Sequence, residues 1–188
     1  MFNERGYDAT SMDELATRLG VTKSAIYHHV PSKVELLRLA LDRALDALFA
    51  VTEEPGATTG PAIDRLEHVV RGSVRVLAAE LPFVTLLLRV RGNSEVEQAA
   101  LQRRREFDRV VTDLVRAAEA EGDVRPDVDP AVTSRLLFGT VNSLTEWYRP
   151  GHRDGQGLTP DGLADALVAT TFDGLRATSR PSPRGVNR

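Results

Sequence analysis

Two short helical patterns joined by one tight turn constrain this chain more than any other feature. Apolar residues recur at i, i+3, i+4 and i+7 from Met12 to Leu19, which predicts an amphipathic helix. Gly20 tolerates the left-handed conformation that ends a helix, and Thr22 is a favourable N-cap for the next one. A proline follows the second pattern and disfavours helical geometry just before it, so the second helix ends by Val30. The sequence therefore predicts a helix-turn-helix within residues 10–33.

Helical periodicity continues through the rest of the chain, and no strand-like alternation of useful length interrupts it. Ser32 and Glu35 have capping-box spacing and open a long helix that reaches about Val51. Further helices are expected at 61–77, 82–90, 95–121, 131–148 and 161–175. The pattern predicts an all-α fold.

Composition divides the chain into a small head and a larger body. The head, residues 1–51, is expected to hold three helices, of which the first is truncated and barely present. Residues 52–60 carry one proline and two glycines and are predicted to be a linker. The body, residues 61–176, is expected to form a bundle of about five helices. Residues 177–188 hold three arginines, two prolines and no acidic residue, which predicts a disordered tail.

Composition also excludes several classes of protein. The chain has no cysteine, which excludes disulfides, thiol catalysis and zinc–cysteine sites. No histidine has a carboxylate three residues before it, as bundle di-metal sites require, and no phosphate loop or nucleophile elbow is present. We therefore expect no catalytic site, no metal and no cofactor. No apolar run approaches the roughly 20 residues of a membrane helix and no signal peptide opens the chain, so we expect a cytoplasmic protein without a membrane partner.

The second short helix carries side chains suited to DNA on one face. At about 100° per residue, Lys23, Ser24, Tyr27 and His28 lie on the same side. Lysine binds phosphate or guanine, serine and histidine bind base edges or phosphates, and tyrosine donates to phosphate. A lysine at the start of the next helix adds a second anchor. The candidate DNA-binding residues are Thr22, Lys23, Ser24, Tyr27, His28 and Lys33.

Overall charge does not supply affinity for DNA. The formal net charge is −3, and residues 1–50 carry six Lys/Arg against seven Asp/Glu. This argues against a protein that coats nucleic acid through bulk charge, so contact with a double-stranded operator must be local. The same count leaves an alternative open, a helical protein-interaction module whose DNA-binding head has degenerated.

The head resembles the TetR family of ligand-responsive transcriptional repressors over about the first fifty residues. The resemblance is carried by Gly6-Tyr7, Thr10-Ser11-Met12, Leu15-Ala16, Leu19 to Lys23, Ile26 to His29, and Ser32-Lys33 with Leu36-Leu37. It implies a repressor that a small-molecule effector releases from DNA. With Asn142, Trp147-Tyr148 and the closing Gly174-Leu175, the body resembles the subgroup that responds to acyl-CoA thioesters.

Two positions depart from the family pattern. Val30 stands where the family usually has an aromatic residue, so the packing beneath the recognition helix is expected to be smaller. The chain starts at Met1, near the end of the family's first helix, whose leading residues often contribute basic contacts. If Met1 is the true start, the head lacks a supporting wall; alternatively, the biological chain begins upstream.

A homodimer is expected because one short helix reads only a few base pairs, whereas two helices about 34 to 36 Å apart read a palindrome. The last two helices are the candidate interface. Its apolar residues are Leu136, Leu137, Val141, Leu144, Leu163, Leu167 and Phe172. The same residues also suit the core of a single chain, and the sequence leaves both interpretations open.

The body is expected to bind the effector, with an acyl-CoA as the candidate, and to change the spacing of the two heads. The candidate pocket residues are Phe83, Leu87, Arg89, Arg91, Phe107, Phe138, Asn142 and Trp147. The apolar members also fit an ordinary core, whereas a buried amide such as Asn142 needs hydrogen-bond partners. Arg89 and Arg91 flank the helix break at Gly92 and suit an anionic group such as a CoA phosphate, although solvated surface arginines fit the same pattern.

Overall fold

The structure, a computed structural model, describes residues 1–150 and 159–174. Within those ranges the chain forms ten α-helices and a π-helical turn at Ala169–Asp173. The α-helices are α1 (Phe2–Arg5), α2 (Met12–Leu19), α3 (Lys23–His29), α4 (Lys33–Glu53), α5 (Pro55–Thr58), α6 (Ala62–Ala79), α7 (Leu81–Arg89), α8 (Glu95–Glu121), α9 (Pro130–Trp147) and α10 (Pro160–Val168). The prediction of an all-α fold is confirmed. The tail predicted at 177–188 lies outside the described residues.

The helices of the head begin and end where their capping residues stand. The Ser11 hydroxyl accepts from the backbone N–H of Glu14, and the Glu14 carboxylate accepts from the backbone N–H of Ser11, which completes a capping box at α2. Gly20 ends α2 with a φ of 68°, a conformation that costs glycine no side-chain clash. The Thr22 hydroxyl accepts from the backbone N–H of Ala25 and opens α3. These caps produce the predicted helix-turn-helix, and the first helix is as short as expected.

The long helix α4 joins the head to the body and packs against α6, α7 and α8. Its inner face carries Leu37, Leu41 and Leu45, all of them fully buried. Gly72 lets α6 approach α4 closely, because a β-carbon there would lie 2.3 Å from Cγ1 of Val51. The core is therefore continuous from α4 into the bundle.

The segment 52–60, predicted as a linker, is largely helical. The last turn of α4 continues to Glu53, and the one-turn helix α5 follows and packs against α6. Arg65 on α6 donates to the carbonyl oxygen of Ala57 at 2.8 Å and holds α5 in place. Pro55 therefore starts a new short helix instead of an extended connection. The division of the chain into two domains stays a prediction.

The head is fastened to α7 by side chains from α1, α4 and α7 itself. The side-chain amide of Asn3 donates to the carbonyl oxygen of Pro82 at 2.7 Å, and Arg89 donates to the backbone carbonyl of Asn3. Arg43 forms a two-pronged ion pair with Glu80 at the start of α7, with N–O distances of 2.7 and 3.0 Å. One body helix thus holds the head at two places.

Candidate nucleic-acid interface and ligand cavity

The face of α3 that the sequence singled out for DNA is open to solvent. Lys23, Ser24, Tyr27 and His28 are all exposed. Thr22 uses its hydroxyl as the helix cap and stands at the end of the same face. An ammonium, two hydroxyls and an imidazole therefore lie on one exposed surface, which we call the recognition face (Lys23, Ser24, Tyr27 and His28).

A carboxylate of the neighbouring helix binds the cation of the recognition face. Nζ of Lys23 lies 2.6 Å from Oδ2 of Asp13, the second residue of α2. This hydrogen bond raises the pKa of Lys23, so the ammonium stays charged. The two side chains are 46% and 68% exposed, so a phosphate can compete with the carboxylate for the same cation.

The arginines of residues 1–50 are also engaged. They pair with carboxylates as follows: Arg5 with Glu14, Arg18 with Glu4, Arg38 with Glu35 and Asp42, and Arg43 with Glu80. The head therefore presents little unbalanced positive charge, as its count of six basic against seven acidic residues indicated.

The structure places Lys33 inside the head and not on the recognition face. Its Nζ donates to the carbonyl oxygens of Tyr7 and Thr10, at 3.0 and 2.9 Å, and lies 3.5 Å from that of Asp8. It also lies 4.3 Å from the centroid of the Tyr7 ring. An ammonium group has three donors, and these carbonyls occupy them. Lys33 therefore ties the loop between α1 and α2 to the start of α4, and this placement does not support its expected role as a phosphate anchor.

Four of the eight predicted pocket residues line one cavity that lies between α7, α8 and α9 and is also bordered by α4 and α6. They are Leu87, Phe107, Phe138 and Asn142. The remaining wall residues are Leu48, Ser73, Leu77, Val84, Leu88, Arg104, Asp108 and Val141. The cavity volume is about 30 Å³, which is roughly the share of one water molecule in the liquid. An organic ligand would therefore have to separate these helices to enter.

The other four predicted pocket residues lie elsewhere. The ring of Phe83 faces the head, where a guanidinium of α4 lies 4.6 Å from its centroid. Arg89 is occupied by the backbone carbonyl of Asn3. Arg91 and Trp147 are exposed to solvent. Helical spacing shows which residues share a face of one helix, but it does not show which neighbouring helix that face packs against. The sequence therefore could not separate these four residues from the cavity residues.

The polar part of the cavity wall includes two charged residues that sequence reasoning missed. Arg104 is half-buried and forms no hydrogen bond or ion pair with any residue that the structure describes. Asp108 is exposed on one side, yet the packing around its carboxyl raises its pKa, against the opposing effect of Arg104 and Arg135. Arg104 lies three positions before Phe107 on α8, and Asp108 lies one position after it. Their closeness to a predicted pocket residue was the signal by which the sequence could have identified them. Across the cavity, the side-chain amide of Asn142 also has no partner within residues 1–150 and 159–174.

The predicted interface residues divide between the core and the surface. Five belong to the core of the single chain: Leu137, Val141, Leu144, Leu163 and Leu167. Phe172 is half-buried. Leu136 is 68% exposed, and Val132 and Trp147 are 51% and 52% exposed on the same helix. One residue turns a helix by about 100°, so Leu136 and its neighbour in sequence face different surroundings. The apolar residues left for a partner therefore form an outer face of α9 (Val132, Leu136 and Trp147).

Neither a metal centre nor a membrane-spanning helix is found in the part of the chain that the structure describes. No three His, Asp or Glu side chains there lie close enough together to hold a metal ion. No helix there is both long and apolar enough to cross a bilayer.

Comparison with known protein families matches both parts of the chain. Residues 59–175 match the family described as tetracyclin repressor-like, C-terminal domain. Residues 1–40 match the family described as bacterial regulatory proteins, tetR family. Of the described residues, the two matches leave out 41–58, which hold the second half of α4 and the short helix α5.

Individual proteins resemble the chain over most of its length. The HTH-type transcriptional repressor KstR2 of Mycobacterium tuberculosis (strain ATCC 25618 / H37Rv) is 28% identical over 183 residues, which cover 93% of this chain and 87% of KstR2. The crystal structure of SCO3833, a TetR regulator family member from Streptomyces coelicolor A3, has a TM-score of 0.87 and 54% identity, covering 94% of this chain and 87% of that one. AibR in complex with isovaleryl coenzyme A and operator DNA shares the fold, with a TM-score of 0.75, 24% identity and 93% coverage of each chain.

Proposed function

This chain belongs to the TetR family of bacterial transcriptional regulators, and we propose that it represses transcription as a homodimer on a palindromic operator until a small effector releases it. The family consists of regulators and not of enzymes. The observation that carries the proposal is the recognition face, where four side chains able to bind DNA lie together and exposed. Because its partner is operator DNA, the proposed location is the cytoplasm.

Within the recognition face, the chemistry of each side chain suggests its role. Ser24 and His28 read base edges, because a hydroxyl and an imidazole can hydrogen-bond base edges and both groups lie on the recognition face of α3. Lys23 and Tyr27 bind phosphates and fix the position of α3 in the groove. Thr22 caps α3 next to that phosphate, where the helix N-terminus favours an anion. Lys33 acts indirectly, by holding the loop between α1 and α2 in place.

The outer face of α9 is the proposed dimer surface. Val132, Leu136 and Trp147 are large apolar residues that are more than half exposed in the single chain. Gly139 lies on the exposed side of the same helix, and a β-carbon there would meet no atom within 4 Å. A partner helix can therefore approach closely at Gly139 and bury the apolar residues on either side.

The proposed effector binds in the cavity between α7, α8 and α9 and is an acyl-CoA or a related acyl compound. Apolar side chains form most of the cavity wall, and Asn142 supplies an amide that can orient a carbonyl group. AibR, which shares this fold, was crystallised with isovaleryl coenzyme A and operator DNA. The cavity chemistry and this likeness support the same class of ligand.

Helix α7 supplies the proposed connection between effector and DNA. Its residues Val84, Leu87 and Leu88 line the cavity. Its ends hold the head through Pro82 and Arg89, which both bind Asn3. Because the cavity has a volume of only about 30 Å³, a bound acyl chain displaces α7, and the displacement carries α1 with it. The two heads then no longer match the operator spacing.

Selection of bound sequences from random double-stranded DNA, followed by fluorescence anisotropy with the selected site, tests the proposal. The expected result is a palindromic site that is bound by a dimer and released by an acyl-CoA. Ser24→Ala and His28→Ala should change sequence preference, whereas Tyr27→Phe should weaken binding to all sites. Equal losses in all three variants would contradict these roles.

One observation favours the alternative of a protein-interaction module: every Lys and Arg of residues 1–50 already has a carboxylate or carbonyl partner. Salt-dependent DNA binding separates the two functions. The module would be supported and the repressor refuted if the chain selected no DNA sequence and showed no salt-dependent DNA binding, and if an N-terminally extended chain behaved in the same way.

A further inference from the structure

We infer that Arg104 is the anion-binding residue of the ligand cavity, and that the effector is an amphiphile whose acidic head group lies against Arg104 while its apolar chain enters the bundle. The inference rests on the proposed function, since it concerns the ligand of the same cavity. Arg104 takes the anion-binding role that the sequence assigned to Arg89 and Arg91, which the structure places away from the cavity.

The surroundings of Arg104 distinguish it from the arginines beside it. Arg103 is held by Asp42 and Asp46 of α4, at 3.0 and 2.6 Å. Arg105 is exposed and does not line the cavity. Arg104 is half-buried in the cavity wall, and its five donors have no acceptor among the described residues. A guanidinium in a partly apolar site binds an anion more strongly than it would in water.

Two charged side chains line this part of the cavity, Arg104 and Asp108, both on α8. Arg135 of α9 is exposed and outside the wall, although its charge acts on the Asp108 carboxyl. Packing raises the pKa of Asp108, so the protonated form of its carboxyl is easier to reach than in water. Of these two wall residues, Arg104 is the one that can bind an acidic head group.

The remaining wall accounts for the other two parts of the ligand. The side-chain amide of Asn142 lacks a partner in the described residues, and it can donate to the carbonyl oxygen of an acyl group. Beyond it, the wall is formed by apolar residues of α7, α8 and α9, among them Leu87, Phe107 and Phe138. A fatty acid supplies both polar parts in its one carboxyl group, and an acyl conjugate that carries phosphate supplies them as separate groups; both have the apolar chain.

Direct ligand binding to the whole chain, in the absence of DNA, tests this assignment. Isothermal titration calorimetry would compare decanoate, decanoyl-CoA and uncharged methyl decanoate on wild type, Arg104→Gln and Arg104→Lys. Arg105→Gln is the matched control, since it removes the same charge from the next residue of α8. A separate anisotropy measurement would follow DNA binding without ligand, so that a failure of the repressor function is seen independently.

For the anionic ligands, Arg104→Gln should weaken binding about 10-fold, as expected for the loss of a charged hydrogen bond in a half-buried site. Arg104→Lys should retain most of the affinity, and Arg105→Gln should match wild type. Methyl decanoate should bind wild type and Arg104→Gln equally. Tighter binding of decanoate would identify a carboxylate head group, and tighter binding of decanoyl-CoA a phosphate.

Two results would overturn the assignment. One is equal affinity of Arg104→Gln and wild type for an anionic ligand that binds wild type. The other is a wild-type chain that binds DNA but neither anionic ligand. In both cases DNA binding would leave the repressor function standing, whereas loss of specific DNA binding would count against that function and not against Arg104.

Discussion

Replacing Asp13 with asparagine is expected to strengthen operator binding, because it removes the carboxylate that holds Lys23. In the free protein Nζ of Lys23 lies 2.6 Å from Oδ2 of Asp13, and contact with a phosphate requires this pair to break. Both side chains are largely exposed, so breaking the pair weakens binding by only about 1.4- to 5-fold per head. A dimer breaks two pairs, and Asp13→Asn should therefore bind about 2- to 25-fold more tightly at low salt.

Fluorescence anisotropy with the selected operator, from about 50 to about 200 mM salt, measures this gain. The gain should shrink as salt rises, because ions screen the exposed pair. Asp8→Asn is the matched control: it removes one negative charge from the head, but the Asp8 carboxylate pairs with no described residue. In a Lys23→Met background, Asp13→Asn should give no more than the Asp8 control. Equal gains for the two asparagine variants, or a full gain without Lys23, would refute the reasoning.

Three further predictions concern assembly, the head and pH. Leu136→Glu should raise the dimer dissociation constant by about 30-fold or more, measured by light scattering. The control Leu39→Glu, at a 44% exposed site on α4, should leave the molecular mass of the dimer unchanged. Lys33→Met should lower the free energy of unfolding in urea by about 1–3 kcal/mol, because it leaves partly buried carbonyls without donors; unchanged stability with lost DNA binding would instead make Lys33 a phosphate anchor. Burial raises the pKa of Asp108 above its usual 3.8. The wild-type carboxyl therefore stabilises the fold most when it is protonated, below that pH, and stabilises it less as the pH rises. Asp108→Asn should therefore gain stability relative to wild type from pH 3 to pH 7 in urea melts, and a constant difference would contradict this.

The head could be predicted almost completely from its sequence, because its signals are local. Ser11, Gly20 and Thr22 each act within four residues of where they stand, and caps of this kind specify helix ends with little help from the rest of the fold. Helical geometry alone showed which side chains of α3 share a face, although every residue of α3 except Ile26 is exposed. Lys33 shows the limit: its partners Tyr7 and Thr10 lie more than twenty positions earlier in the chain, and no local pattern announces them.

The bundle was harder to predict because its helices are apolar on more than one face. On α9, Leu136 and Leu137 are adjacent and chemically identical, yet one is exposed and the other is core. Hydrophobicity alone does not tell which face meets the same chain and which meets a partner. The arginines raise the same problem, because Arg89 and Arg104 both lie on helices of the bundle, yet Arg104 lines the cavity and Arg89 binds the backbone carbonyl of Asn3.

Helix α7 keeps two tasks on separate residues, and this separation has a practical consequence for protein engineering. Val84, Leu87 and Leu88 line the cavity, whereas Pro82 and Arg89 hold Asn3. Under the proposed function, substitutions in the first set are expected to change which molecule binds without altering the contacts of Pro82 and Arg89 with Asn3. Under the proposed function, a biosensor for a new compound is therefore expected to need changes in the cavity wall on α7, α8 and α9, while Pro82, Arg89 and Asn3 stay unchanged.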